Sequence, residues 1–144
     1  MNFKKLKNGL YAIELSRGDN PIESLSSFAE EIKAGGFFQG IGALEWAEIG
    51  YFDIESKQYL HKKVDGYFEL LSLMGNIVFA DDKPLVHAHI ILGQRDNSTI
   101  GGHLFAGNVS VTGEIIFIPA SKDEITRLKD DFTNLSLWKF TADN

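Results

Sequence analysis

The apolar residues of this chain change period partway along, and that change limits the fold more than any other feature of the sequence. Ile22, Leu25, Phe28, Ala29 and Ile32 recur at helical spacing and form one apolar stripe. The signals before them mark a helix start. Asn20 suits the N-cap, Pro21 the first helical position, and Glu23 can reach back as in a capping box. Gly35-Gly36 reads as the stop, so the spacing predicts a helix over 22–34. Beyond it the period is two and strands dominate. Alternating runs fall at 37–41, 44–52, 58–64, 67–73, 77–79, 85–92, 99–104 and 110–118, with a first strand ahead of the helix at 9–15 and a closing one at 135–140. Asp65-Gly66 reads as a hairpin turn. Residues 81–84 read as a loop, and the polar stretch 119–131 as the place for a short helix. The expectation is an α+β fold: a mainly antiparallel, mixed sheet with one long N-terminal helix packed on it and a short C-terminal helix. No linker, repeat or low-complexity stretch divides the chain, so one domain is expected over residues 1–144.

Composition removes several classes of function. There is no cysteine, which excludes disulfides, thiolate metal sites and a thiol nucleophile. No apolar run approaches the roughly 20 residues that span a bilayer. Lys4, Lys5 and Lys7 are followed by no long apolar stretch, so neither a membrane span nor a secretory signal is expected, and the cytoplasm is the expected compartment. The net charge of −6 argues against strong DNA binding by one isolated subunit. Lys4, Lys5 and Lys7 form one small basic group and His61, Lys62 and Lys63 another; both read as solvated surface, unless an assembly gathers them on one face. His61 itself is expected to be exposed and without a role. Gly40-Ile41-Gly42 is too short for a phosphate loop, and there is no Gly-x-Ser-x-Gly elbow for a serine hydrolase.

The residues that point to chemistry are histidines. His87 and His89 are two apart in an expected strand, so their side chains share a face. His103 lies in a following strand, behind Gly101-Gly102, where the missing side chains let backbones approach closely. If those strands pair, three imidazoles converge. Three His with an open position is a familiar zinc arrangement; imidazole also suits nickel, copper or iron. A divalent metal, zinc first, is therefore the expected cofactor. The plain structural alternative is three polar side chains on one sheet face, each bonded to backbone or solvent. Glu69, between Phe68 and Leu70, is a candidate general base or fourth ligand if buried, and otherwise faces solvent or pairs across a subunit interface. Glu114 is a weaker case of the same kind. Asn76 is expected to satisfy a bend through its side chain, and Arg17 and Arg95 are isolated cations.

A series of segments, in order, resembles the plant and prokaryote conserved (PPC) domain family. They are Gly40-Ile41-Gly42-Ala43-Leu44, Ile49-Gly50-Tyr51-Phe52-Asp53, the run Phe68-Glu69-Leu70-Leu71-Ser72-Leu73-Met74-Gly75-Asn76-Ile77, then His87-Ala88-His89-Ile90-Ile91-Leu92-Gly93, Gly101-Gly102-His103-Leu104 and Gly107-Asn108-Val109-Ser110-Val111-Thr112-Gly113-Glu114. Each is weak alone; together they cover residues 9–135. The resemblance implies a homotrimer of α+β subunits. It also implies a DNA-associated or regulatory role, because plant members carry the domain beside AT-hooks and stand-alone prokaryotic members are often described as DNA-binding. This chain lacks the Arg-Gly-Arg-Pro core of an AT-hook and has only Arg17-Gly18-Asp19, so the minor-groove arginines are absent. Similar histidines occur in prokaryotic relatives, which implies a metal there. Three functions stay open on these grounds: a trimeric DNA-associated regulator, a metal-dependent enzyme of hydrolytic type or small-ligand binder using His87, His89 and His103, and a trimeric scaffold with subunit contacts from 67–73 and 110–118.

Overall fold

The computed structural model describes residues 1–140, and strands account for 66% of the described residues against 9% helix. That corrects the expected α+β class: the fold is mainly antiparallel β. The strands are β1 (Asn2–Lys5), β2 (Tyr11–Ser16), β3 (Gly35–Asp53), β4 (Gln58–Ala80), β5 (Lys83–Gly93), β6 (Thr99–Ala120), β7 (Thr126–Lys129) and β8 (Ser136–Lys139). The helix α1 is Pro21–Ile32, twelve residues and not long. Its start is as expected, with Pro21 in the first turn and the Asn20 side chain accepting the Ile22 amide at 3.1 Å. Its end is not. Lys33 takes the left-handed C-cap conformation, which releases Gly35-Gly36 to begin β3. The expected C-terminal helix does not form either. Within 119–131 the chain makes a turn and then β7, which pairs with β8 as a separate two-stranded ribbon.

The larger misreading is strand length. What the sequence breaks into short runs is three long strands of 19, 23 and 22 residues, bent by bulges rather than interrupted by turns. Asp65-Gly66 is the clearest case. It lies inside β4, where the register against β3 shifts between Leu44 and Trp46. Gly66 has φ of +137°, a conformation costly for a side chain. The same chemistry that serves a tight turn serves a bulge. The real β4–β5 hairpin is the two-residue Asp81-Asp82 connection, with φ of 50° and 57°, the positive pair that suits strand twist.

The main sheet has the order β1-β2-β6-β3-β4-β5, and β6 also pairs with β5. That extra pairing closes β3, β4, β5 and β6 into a ring, with β1 and β2 as an extension along β6. Alternation along β5 buries Ala88, Ile90 and Leu92 and turns His87 and His89 to the other face. The helix packs on β5 and β6 and sends Leu25, Phe28 and Ala29 into a core shared with Leu15, Phe38, Leu73, Val109 and Phe117. The core and the histidines are thus separated by the thickness of the sheet. No helix of the described residues is long and apolar enough to cross a membrane.

Candidate metal centre

Strand pairing brings the histidines together. His89 on β5 stands directly opposite His103 on β6, and His87 is one alternation away on the same face. The close fit of the backbones depends on Gly101 and Gly102: a Cβ there would meet the carbonyl oxygens of Ile90 and Gly50 respectively. Ring centroids lie 5.1 Å apart for His87–His89, 5.1 Å for His87–His103 and 5.5 Å for His89–His103. One nitrogen from each ring lies within 4.8 Å of the others. A zinc ion at 2.0–2.1 Å from three nitrogens needs them roughly 3.4 Å apart, so small side-chain rotations suffice to close the set.

The donor chemistry fits a metal. Burial pushes the His103 imidazole down to about 4, helped by the charges of His87, His89, His61 and Arg127. His87 is lowered too, by burial first and then by Arg127 and His89. Both rings are therefore neutral at pH 7 and have a lone pair to give. Nδ1 of His103 is buried without a hydrogen-bond partner, and an orphaned polar atom of that kind costs on the order of 1–3 kcal/mol unless something else engages the ring.

Glu69 does not join this group. Its register partner on β5 is Gly93, whereas the partner of His89 is Met74, five residues further along β4, or ~16 Å at the strand rise. It is exposed, and together with Glu114 it borders a different surface depression, beside Ile41, Leu71 and Val111. Of the two readings for Glu69, the solvent-facing one is what the structure has, so the ground for making it a ligand or base is absent. His61 donates from Nδ1 to Glu48 Oε1 at 2.7 Å and stacks on Phe105 at 4.1 Å between centroids.

Two residues at the centre were not anticipated from sequence. Arg127, on β7, donates from Nη2 to Asn76 Oδ1 at 2.9 Å and lies 3.3 Å from His87 Nδ1; its Nη1 donates to the Ser136 carbonyl at 2.6 Å. Tyr59 lies with its ring 5.0 Å from His103, and burial raises its hydroxyl pKa. Both line a cavity of about 280 Å³ together with His87 and His103. The β7–β8 ribbon is held over it by Trp138, which packs edge-on against Phe37 at 5.6 Å and donates to Asn76 Oδ1 at 3.3 Å. Asn76 therefore anchors the ribbon and does not cap a bend. A signal for this ribbon exists: Thr126-Arg127-Leu128-Lys129 and Ser136-Leu137-Trp138-Lys139 both alternate, with turn-forming residues between.

Fold and centre together define a class: a ring-closed antiparallel β protein with a three-imidazole cluster under a C-terminal ribbon. The chain belongs to the Plants and Prokaryotes Conserved (PCC) domain family, whose model matches residues 5–121. It is similar to a candidate DNA-binding protein from Bacteroides thetaiotaomicron, at 26% identity and a TM-score of 0.91, over 96% of each chain. It is similar to a plant- and prokaryote-conserved protein of Pyrococcus horikoshii, at 31% identity and 0.83, over 92% of each. The metal-containing protein of Archaeoglobus fulgidus is 32% identical, with a TM-score of 0.83, over 96% of each chain. No curated protein matches it.

Proposed function

We propose that this chain is one PCC domain that holds a divalent transition metal on His87, His89 and His103 and binds a small ligand beside it. The observation that carries this is the convergence of three imidazole nitrogens within 4.8 Å, on the solvent side of the sheet and next to a cavity. The Archaeoglobus relative, described as metal-containing, supports the same reading. A bound ion would supply Lewis acidity to a ligand in that cavity, and three nitrogens with no carboxylate in the group among the described residues leave room for one. Zinc is the first choice because three imidazole ligands suit it. Hydrolytic chemistry is one use of such a centre, and ligand sensing is another. The test is elemental analysis of protein purified without chelator. About one equivalent of metal per chain is expected, falling at least tenfold in His87→Ala. Equal, negligible metal in both proteins, before and after incubation with zinc, would end the reading.

The working unit we propose is a homotrimer. Its support is an apolar outward surface in which Ile41 is 58% exposed, Leu71 50% and Val111 70%, all bordering one depression. Surfaces of that kind mark interaction sites, and a heterologous contact closes into a three-fold ring when the rotation allows. Light scattering should give about 48 kDa, three times the 16.0 kDa of one chain, and Val111→Asp should shift the mass towards 16.0 kDa. A wild-type protein that scatters as 16.0 kDa at all concentrations would remove the trimer.

A second reading, a DNA-associated regulator, is supported by the naming of the Bacteroides relative. The charge distribution weighs against it in a single subunit. Lys4 and Lys5 lie on edge strand β1 and Lys62 and Lys63 on β4, with β2, β6 and β3 between them, and Lys63 is already paired with Asp65 at 3.0 Å. Gel-shift titrations at several salt concentrations separate the readings, since phosphate contacts make affinity fall steeply with salt. No complex even at low salt would exclude the regulator.

A further inference from the structure

Arg127 is a half-buried cation that pairs with no carboxylate among the described residues. None of the ion pairs among the described residues involves it, and its Nε is buried with no hydrogen-bond partner. Guanidinium stays protonated in such surroundings, so the charge is present and no carboxylate of the described residues balances it. The acceptors it does have are neutral: the Ser136 carbonyl, Asn76 Oδ1 and His87 Nδ1.

The last of these contacts is incompatible with a metal on His87. A neutral imidazole has one lone pair to offer. If Nδ1 holds the metal, that lone pair is spent and Arg127 loses its acceptor. If Nε2 holds the metal, the proton moves to Nδ1, and two N–H groups then face each other at 3.3 Å. Loading His87 by either nitrogen therefore breaks the Arg127–His87 hydrogen bond and leaves an Nη2–H unpaired at the wall of the cavity.

We propose that this cavity is a site for a small organic carboxylate, held by the Arg127 guanidinium, and that metal on the histidines strengthens its binding by releasing Arg127 from His87. This rests on the metal reading above and adds the ligand class and the coupling. A carboxylate fits the walls. Its planar fork matches guanidinium, and its apolar body meets Leu85, Val86, Leu135 and Leu137. A phosphate dianion would bring two charges to one guanidinium, with no lysine among the lining residues. The cavity, about 280 Å³, is near the lower end of ligand pockets, which limits the ligand to a short chain. The ribbon that supplies Arg127 lies beyond residues 5–121, the segment matched by the family model. Coupling between the two sites must be reciprocal.

The test uses the full chain, zinc-loaded and chelator-stripped, with butyrate, butyramide and inorganic phosphate titrated by calorimetry. Butyrate is expected to bind zinc-loaded protein at least fivefold tighter than stripped protein, and at least tenfold tighter than butyramide or phosphate. Arg127→Gln should lose at least tenfold in butyrate affinity while keeping its zinc equivalent. Arg127→Lys, which keeps the charge without the fork, should fall between. Circular dichroism identifies any variant that fails to fold. Butyramide binding as well as butyrate, or Arg127→Gln binding as well as wild type, overturns the carboxylate site. Equal butyrate affinity with and without zinc overturns the coupling. If the wild type takes up no zinc, the metal reading fails separately, and butyrate binding lost in Arg127→Gln would then show an anion site without a metal partner.

Discussion

Phe28→Ala should lower the unfolding free energy by about 3–5 kcal/mol, the range for deleting a large buried aromatic side chain. Phe28 is fully buried on the inner face of α1. Its ring meets Phe3 at 4.9 Å, Tyr11 at 5.4 Å and Phe117 at 5.0 Å, all near edge-to-face. Such pairs add ~0.5–1.5 kcal/mol each beyond area burial. More follows from topology. Phe3 is on β1, Tyr11 on β2 and Phe117 on β6, so one side chain ties the helix to the edge extension of the sheet. A domain is stable by only about 5–15 kcal/mol in all, and the variant should sit near its unfolding midpoint at temperatures the parent tolerates. Urea unfolding followed by circular dichroism measures this, with Glu30→Ala on the exposed helix face as control, expected to change stability by less than about 0.5 kcal/mol. A loss below 1 kcal/mol for Phe28→Ala would mean that the helix is not held by this cluster.

The sequence carries local rules more clearly than long-range ones, and its particular failures show why. The Asn20 cap and Pro21 start of α1 were readable because the partners lie within three residues. The His-x-His pair and the third histidine behind two glycines were readable because strand alternation fixes the face and glycine marks close approach. Asp65-Gly66 was misread because positive φ suits both a turn and a bulge, and only the partner strand decides. The same ambiguity cut β3, β4 and β6 into pieces and, with the polar 119–131 stretch taken as helical, produced the α+β expectation that the fold overturns. Glu69 was considered for the site because flanking apolar residues suggested burial, but alternation puts it outside when Phe68 and Leu70 are inside. Arg127 was missed for a different reason. It reaches the histidines from 40 residues beyond His87, through a ribbon whose docking depends on Trp138 and Asn76, and no local pattern encodes such a contact.

Zinc should stabilise the folded chain, and loss of that effect in His103→Ala distinguishes the three-histidine cluster from any other site. An ion that binds only the native state adds about 4 kcal/mol at a thousandfold excess over its dissociation constant, on the order of 10 °C in Tm for a chain of this length. Without metal, the His103 contribution has a fixed sign. Its pKa is near 4 in the folded state and 6.5 in an unperturbed one, so the unfolded chain takes up the proton first and stability falls as pH drops from about 6.5 to about 4. His87, also lowered, acts in the same direction. The zinc increment also weakens as pH falls, because all three imidazoles must be unprotonated to hold the ion; His103 contributes to that loss only when its folded ring protonates, near pH 4. Chelator-treated protein is therefore expected to lose Tm progressively below pH 6.5, and the zinc-induced rise is expected to be largest above pH 7. His103→Ala should abolish the rise and flatten the apo slope. A zinc-induced rise that survives His103→Ala would show that the ion is held elsewhere than on the three-histidine cluster.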